Sequence, residues 1–445
     1  MCDADKLKDG GYDFRPENAV ELAAVWNSED SGAPEVARTS HKKRYSKKVL
    51  ASLSLAGALI FLVTAFMITS FALPYHKDTV VVLVSIDGFR WDFLSNPLYV
   101  HPSLDRICRD GIARVLPPLF PPETWPNLVS AVTGLYPEAH GVVGNTFYDS
   151  KTKEFWSFVE NKEKFWYDGE FFWDLVARHN RVSACCGWPG CDASYEESTR
   201  LLKCESSSLE GDQVKQVLNW LDMSALDRPE FIAVSFGSLE EIGRVFGEEN
   251  DLLKRAVRSL DAHLGDLYEG IRERSLRYNI HLMIVSSHGF EVTSNWIYLD
   301  LELDLSLYEI PELQRNGSAS KLAVWPKTEE AMNKVRLLKI EHVRIELSFE
   351  KWHYRTSRRI SPVYLVADTG YVFTVSNWRH QEKNLAQSHG WDIESKNMQG
   401  VLIATGPAFK KMKIEKASVL DIYQIIASIL EIPLEEQKSA RLRIK

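Results

Sequence analysis

Thr79–Ile86 (TVVVLVSI) runs directly into Asp87-Gly88-Phe89-Arg90, and the reading of this stretch decides the fold. The run is short, rich in β-branched residues and uncharged, which predicts a strand buried on both faces. A carboxylate at the C-terminal end of such a strand, followed by Gly, falls where open α/β sheets place their ligands. A second stretch, Thr124-Trp125-Pro126-Asn127, leads into the apolar-periodic Leu128–Leu135. Thr124 has the residue type of an N-cap and Pro126 suits a first helical turn. A hydroxyl beside the open N–H groups of a helix start meets a phosphate naturally. Taken singly, each piece reads better as a core strand and a capped helix than as a site.

The same alternation continues outward. Candidate strands lie at Thr79–Ile86, Arg181–Cys185, Glu230–Phe236, Ile280–Ser286, Val363–Ala367 and Gly400–Thr405, with helical patterns between them. Leu252, Leu253, Val257, Leu260, Leu264, Leu267 and Ile271 share one face of a long amphipathic helix. Val419, Ile422, Ile425, Ile426, Ile429 and Leu430 do the same near the C-terminus. The pattern predicts an α/β fold with a mostly parallel sheet covered by helices on both faces. Leu301–Arg359 departs from it and reads as an insertion holding Trp325-Pro326, Trp352-His353-Tyr354-Arg355 and Arg358-Arg359-Ile360-Ser361-Pro362. His353 and Arg359 read there as packing and surface residues.

The chain has 445 residues, 45% hydrophobic and 26% charged, which suits one large domain with appendages rather than a disordered chain. A net charge of −8 leaves no basic footprint for nucleic acid. Residues 1–48 are polar and predict a disordered cytosolic tail. Val49–Leu73 carries no formal charge and is long enough for a transmembrane helix. Lys42, Lys43, Arg44, Lys47 and Lys48 precede it and only Lys77 follows closely. That bias predicts a single-pass type II membrane protein with residues 74–445 extracellular or lumenal. The sequon Asn316-Gly317-Ser318 agrees weakly, as a candidate glycan site. Beyond residue 73 stand Cys108, Cys185, Cys186, Cys191 and Cys204; Cys191 and Cys204 are spaced to close a short loop, but the pairing stays open.

Asp87-Gly88-Phe89-Arg90, Pro121-Pro122-Glu123-Thr124-Trp125-Pro126-Asn127, Val132-Thr133-Gly134-Leu135-Tyr136-Pro137-Glu138-Ala139-His140-Gly141 and Asn145 follow one another in this order. Together they resemble the ectonucleotide pyrophosphatase/phosphodiesterase family of the alkaline-phosphatase superfamily, from about Val80 to about Pro433. The resemblance implies the alkaline-phosphatase-like version of the fold, with the insertion over the active site. It also implies two-metal displacement at phosphorus, with zinc held by Asp and His side chains from several strand ends. On it, Asp87 matches the first Asp ligand. Thr124 matches the nucleophile, which also touches one metal. Asn145 matches a donor to a phosphate oxygen, and Trp125 the aromatic on which a nucleobase stacks, a core Trp being an equal reading.

The second half of the motif set departs from the family. Where relatives carry Glu-Pro-Asp-x-x-Gly-His, this chain has Ser238-Leu239-Glu240-Glu241-Ile242-Gly243-Arg244, so Glu240 replaces the Asp and Arg244 the His. A one-residue shift would use Glu241 and restores no His. Ser287 replaces the Asp before His288, while His389 matches the last His ligand. Trp166-Tyr167-Asp168-Gly169 puts an acid where nucleotide-cleaving relatives have a phosphate-facing Lys. The candidate metal ligands are therefore Asp87, Thr124, His288, His389 and Glu240, with one zinc expected at Asp87–Thr124–His288 and the second site doubtful. Arg244 has no lone pair to offer a metal. It reads either as a surface Arg or as a replacement charge that grips phosphate bidentately.

These readings converge on a type II membrane pyrophosphatase/phosphodiesterase-like protein. It is expected to keep a pocket for a small phosphodiester or phosphorylated ligand, with severely reduced or absent activity. The alternative is an active metal-dependent phosphodiesterase that hydrolyses nucleotide or choline phosphodiesters through Thr124.

Overall fold

The computed structural model describes residues 78–434, except 158–160, 162, 194–199, 205–208, 317–318 and 377–384. Its centre is a seven-stranded sheet. In chain order the strands are β1 (Thr79–Ile86), β2 (Ile112–Leu116), β3 (Ser183–Cys186), β4 (Leu201–Lys203), β5 (Phe231–Phe236) and β6 (Asn279–Val285). The seventh, Gly400–Thr405, is numbered β11, because β7 (Tyr308–Glu309), β8 (Lys321–Pro326), β9 (Val343–Glu346) and β10 (Val363–Ala367) form a separate four-stranded sheet. The spatial order of the main sheet is β2-β11-β6-β1-β5-β3-β4.

The central position of β1 explains its sequence. It pairs in parallel with β5 on one side and β6 on the other. Val81 and Leu83 enter one core, and Val80, Val82 and Val84 the other. A strand covered on both faces has no use for polar alternation. The first core is closed by α2 (Thr124–Thr133) and α6 (Val419–Ile429), which contribute Leu128, Val129, Val132, Ile422, Ile425 and Ile426. The second is closed by α1 (Pro102–Asp110), through Leu104 and Ile107, by α3 (Glu210–Leu221), through Val214, Val217 and Leu221, and above all by α5 (Asp251–Arg274), through Leu253, Val257, Leu260, Leu264, Leu267 and Ile271. Between β5 and α5 lies the short α4 (Ser238–Phe246).

The expectation of a mostly parallel sheet is corrected at one strand: six strands of the main sheet share one direction, and β11 runs antiparallel to both β6 and β2, so the sheet is mixed. Val363–Ala367 is not in that sheet at all: β10 pairs antiparallel with β8 and β9. An apolar run reports burial, not strand direction or sheet membership, so neither fact is written in the pattern. The expected membrane span is a further correction. Among the described residues no helix is long and apolar enough to cross a membrane. Residues 1–48 and 49–73 lie outside the described residues, so the transmembrane helix, the type II topology, the membrane partner and the extracellular or lumenal location find no support in the fold. The sequon also runs into residues outside the description. Cys191 and Cys204 do not pair with each other; the disulfides are Cys185–Cys191 and Cys186–Cys204, both anchored at the end of β3.

Candidate active site

Three adjacent parallel strands, β1, β5 and β6, deliver their C-terminal ends to one place. Asp87 follows β1, α4 with Glu240 follows β5, and Ser287 and His288 follow β6. That edge is where the free strand ends of an α/β sheet converge on a ligand. Thr124 arrives from the other side, on the first turn of α2. Its reading as an N-cap is corrected: the N-cap is Glu123, and Thr124 is the first helical residue with its hydroxyl unused by the helix. Asn127 holds the approach, its Oδ1 accepting from Leu119 N at 2.7 Å and its Nδ2 donating to the carbonyls of Pro121 and Glu123.

The released hydroxyl sits among acceptors. Thr124 Oγ1 is 2.9 Å from Glu240 Oε2 and 3.0 Å from His288 Nε2. Glu240 Oε1 is 3.1 Å from His389 Nε2, and the two imidazoles lie with centroids 4.1 Å apart. Burial, first, and the neighbouring His389 push His288 down to about 3, so it is neutral at pH 7. His288 Nδ1 lies 2.7 Å from the carbonyl of Gly289, which puts the proton there and leaves the Nε2 lone pair facing Thr124. Burial alone would raise Glu240. The hydrogen bond from His389 and the neighbouring Arg244 guanidinium outweigh it and hold Glu240 below the usual carboxylate range.

Asp87 stands next to this cluster but is turned to serines. Its carboxylate accepts from Ser287 Oγ at 3.2 Å and Ser235 Oγ at 3.4 Å, and Ser85 donates to Ser235 at 2.8 Å. Burial, then the charge of Glu240, raises its pKa well above the ordinary value, against the three serine contacts. Asn145 Oδ1 accepts the backbone N–H of Trp125 at 3.0 Å. The Trp125 ring is half-buried against the first core. Arg244 lies one helical turn beyond Glu240 on α4, half-buried. Asp168 pairs with Arg359 at 3.7 Å. Arg359, read from sequence as a packing or surface residue, is fully buried and bonds Asp149 at 3.0 Å and the carbonyls of Gly141 and Trp166. His353 stacks on Tyr136, with centroids 4.2 Å apart.

Among the described residues one group of side chains could hold a metal: Glu240, His288 and His389, whose ligand atoms all lie within 4.8 Å of one another. The donor set fits zinc, which takes two His and one carboxylate and keeps a fourth position open at catalytic sites. Two further observations agree. His389 Nδ1 is buried without a hydrogen-bond partner. And one hydroxyl proton on Thr124 cannot satisfy both Glu240 Oε2 and the His288 lone pair, so the cluster holds more lone pairs than protons. The group differs from the expected Asp87–Thr124–His288 centre: His288 is shared, but Glu240 and His389 complete it in place of Asp87. Against a two-metal set it is incomplete, and no second metal group occurs among the described residues.

The profile of the type I phosphodiesterase / nucleotide pyrophosphatase family matches residues 81–392. The chain belongs to this family. An uncharacterised pyrophosphatase/phosphodiesterase of Schizosaccharomyces pombe is 29% identical over 381 residues, covering 80% of this chain and 78% of the relative. The bis(5'-adenosyl)-triphosphatase ENPP4 of Homo sapiens is 30% identical over 365 residues, covering 79% and 78%. Among solved structures, human ectonucleotide pyrophosphatase/phosphodiesterase 5 superposes with a TM-score of 0.71 at 23% identity, over 80% of this chain and 96% of that one. The murine protein, as an inactive variant in complex with AMP, gives the same values. These structural matches speak for the alkaline-phosphatase-like fold.

The expectation of severely reduced or absent activity, as in a pseudoenzyme, is corrected here too. It rested on replaced ligands counted along the chain. In the fold, Glu240 is not a stray replacement: it joins His288 and His389 in one three-ligand group with the Thr124 hydroxyl against it. This assembly favours the working phosphodiesterase.

Proposed function

We propose that this chain is a metal-dependent phosphodiesterase that cleaves its substrate through Thr124. The observation that carries the reading is the position of Thr124 Oγ1, 2.9 Å from Glu240 and 3.0 Å from His288. A bound zinc ion would be held by Glu240, His288 and His389, and would supply Lewis-acid stabilisation of charge on phosphate oxygens. Thr124 attacks phosphorus; the Oγ1–P bond forms and the bond from phosphorus to the leaving oxygen breaks, while the hydroxyl proton is relayed by Glu240 Oε2 to the leaving alkoxide, which departs as the alcohol. Water then attacks the Thr124 phosphoester; its oxygen forms the new bond to phosphorus, the Oγ1–P bond breaks and one water proton returns to Thr124 Oγ1, so one diester and one water become a monoester and an alcohol. Asn145, anchored by the Trp125 N–H, keeps its NH₂ group as a donor for a phosphate oxygen. Arg244 supplies the positive charge that a second metal would otherwise bring, and can grip two phosphate oxygens at once.

A nucleotide ester is the proposed substrate class. Half-buried Trp125 offers a ring face for a base, human ENPP4 is named a bis(5'-adenosyl)-triphosphatase, and murine ectonucleotide pyrophosphatase/phosphodiesterase 5 was solved with AMP. The test uses zinc-loaded protein with 4-nitrophenyl 5'-thymidylate, and with 4-nitrophenylphosphorylcholine as the choline arm. Hydrolysis of the nucleotide ester is expected, with Thr124→Ala removing about 10³-fold or more of kcat, as loss of a nucleophile does. Unchanged turnover in Thr124→Ala, or faster cleavage of the choline ester, would overturn the nucleophile or the substrate class respectively.

A further inference from the structure

Behind the nucleophile lies a buried ionic strut. Lys321 opens β8 and is 3% exposed. Its Nζ is 3.4 Å from Glu123 Oε1 and 3.8 Å from Glu312 Oε1, and 5.1 Å from the centroid of the Tyr364 ring. Glu123, also buried, is the N-cap residue of α2, immediately before Thr124. Its other oxygen, Oε2, accepts the backbone N–H of Asn145 at 2.6 Å. Asn145 Oδ1 in turn accepts Trp125 N–H. A chain of contacts thus runs from Lys321 through Glu123 and Asn145 back to the residue following the nucleophile.

The adjacent residue reaches the other half of the site. Ser320 Oγ donates to the carbonyl of His389 at 2.6 Å. Gly390, next to His389, adopts a φ of +98°, and a Cβ there would lie 2.7 Å from Ser320 Oγ and 3.8 Å from Glu123 Oε1. The His389 turn therefore packs directly on the pair formed by Ser320 and Glu123.

The geometry points to Lys321 and Glu123 as positioning residues that set Asn145 and the Thr124 end of α2 against the His389 turn, the strut entering from the separate sheet. Neither touches the reacting atoms. An unpaired charge in this buried place is strongly unfavourable, so Lys321 and Glu123 each hold the other in place. Hydrolysis is sensitive to such placement, because a shift of about 1 Å away from the chemistry can cost about 10²-fold in rate.

The test rests on the phosphodiesterase reading but adds readouts independent of turnover. Zinc content, kcat and KM for 4-nitrophenyl 5'-thymidylate, and the affinity of zinc-loaded protein for inorganic phosphate, are measured in Lys321→Met, Lys321→Arg, Asn145→Ala and the double variant Asn145→Ala/Lys321→Met. Lys321→Met is expected to keep its zinc and to lose about 10–100-fold in kcat with a much smaller change in KM. Lys321→Arg, which restores the cation, is expected to recover most of that loss. In the Asn145→Ala background, Lys321→Met is expected to cost much less than in the unmodified chain, because the strut holds the Asn145 backbone and acts on Trp125 and on phosphate through the Asn145 side chain, which is then missing. Losses that multiply in the double variant, or a Lys321→Met protein that is less stable yet turns over normally, would overturn the proposal. Should Lys321→Met fail to fold, Glu123→Gln, which keeps an acceptor for Asn145 N–H, carries the same cycle. If no variant, including the unmodified chain, hydrolyses the ester, the phosphodiesterase reading fails. The strut is then judged on phosphate affinity alone, with the same non-additivity expected and multiplying losses again overturning it.

Discussion

One methylene separates Glu240 from the aspartate that relatives place at this point, and it changes what the carboxylate reaches. From the first turn of α4 its two oxygens contact Thr124 on one side and His389 on the other. Arg244, one turn on, adds its positive charge beside that carboxylate. The buried acid on the far side of the strut makes a different, pH-dependent contribution. Burial raises Glu312 from 4.5 to about 7, against the pull of Lys321. With the folded pKa above the unfolded one, its stabilisation is complete below about 4.5 and is lost as pH rises through about 7. Urea midpoints of the native chain should therefore fall between about pH 5 and 7 relative to Glu312→Gln, in which this component is absent. Parallel pH profiles of the two proteins would exclude Glu312 as the titrating group.

At the scale of elements, the site depends on how closely turns approach one another. The turn after β6 passes under the segment leading into β11. Gly289 N donates to Met398 O at 2.9 Å, and a Cβ on Gly289 would overlap the carbonyl oxygen of Asn397 and lie 2.9 Å from that of Gln399. Both are backbone atoms and cannot swing aside, so a side chain there displaces His288. Gly289→Ala is expected to destabilise the fold by about 1–3 kcal/mol, as overpacking does. It should also lower zinc content, read by elemental analysis of purified protein. Full zinc at native stability would mean that the turn accommodates the methyl group. The same close approach recurs where β11 begins: Gly400 brings its backbone against Ser286, where a Cβ would lie 2.6 Å from the carbonyl oxygen.

For the whole molecule, the three-ligand group ties α4, the turn after β6 and the His389 turn to one centre. A metal bound there belongs to the folded state only, so it stabilises by mass action, by about 2.7 kcal/mol at a hundred times its Kd. Chelation is expected to lower Tm by several degrees, with zinc restoring it. Elemental analysis is expected to find one zinc per chain. Two tightly bound ions, or a Tm indifferent to chelator, would show that the metal centre has been drawn wrongly.

The amino-acid sequence by itself determined which segments are buried and to which family the chain belongs. The uncharged β1 run reports burial on both faces, and the ordered motifs around Asp87, Thr124 and Asn145 report the family. Only the tertiary structure decided direction and convergence. β11 runs antiparallel although its apolar run resembles those of its parallel neighbours, because apolarity measures burial and not polarity of the strand. Glu240, more than a hundred positions from Thr124 and from His389, reads along the chain as a lost aspartate; in space its extra length closes the three-ligand group. Lys321 and Ser320 lie outside every motif, and nothing local marks them. Their roles come from pairing across the fold with Glu123 and His389, a property of distance that no window of sequence contains.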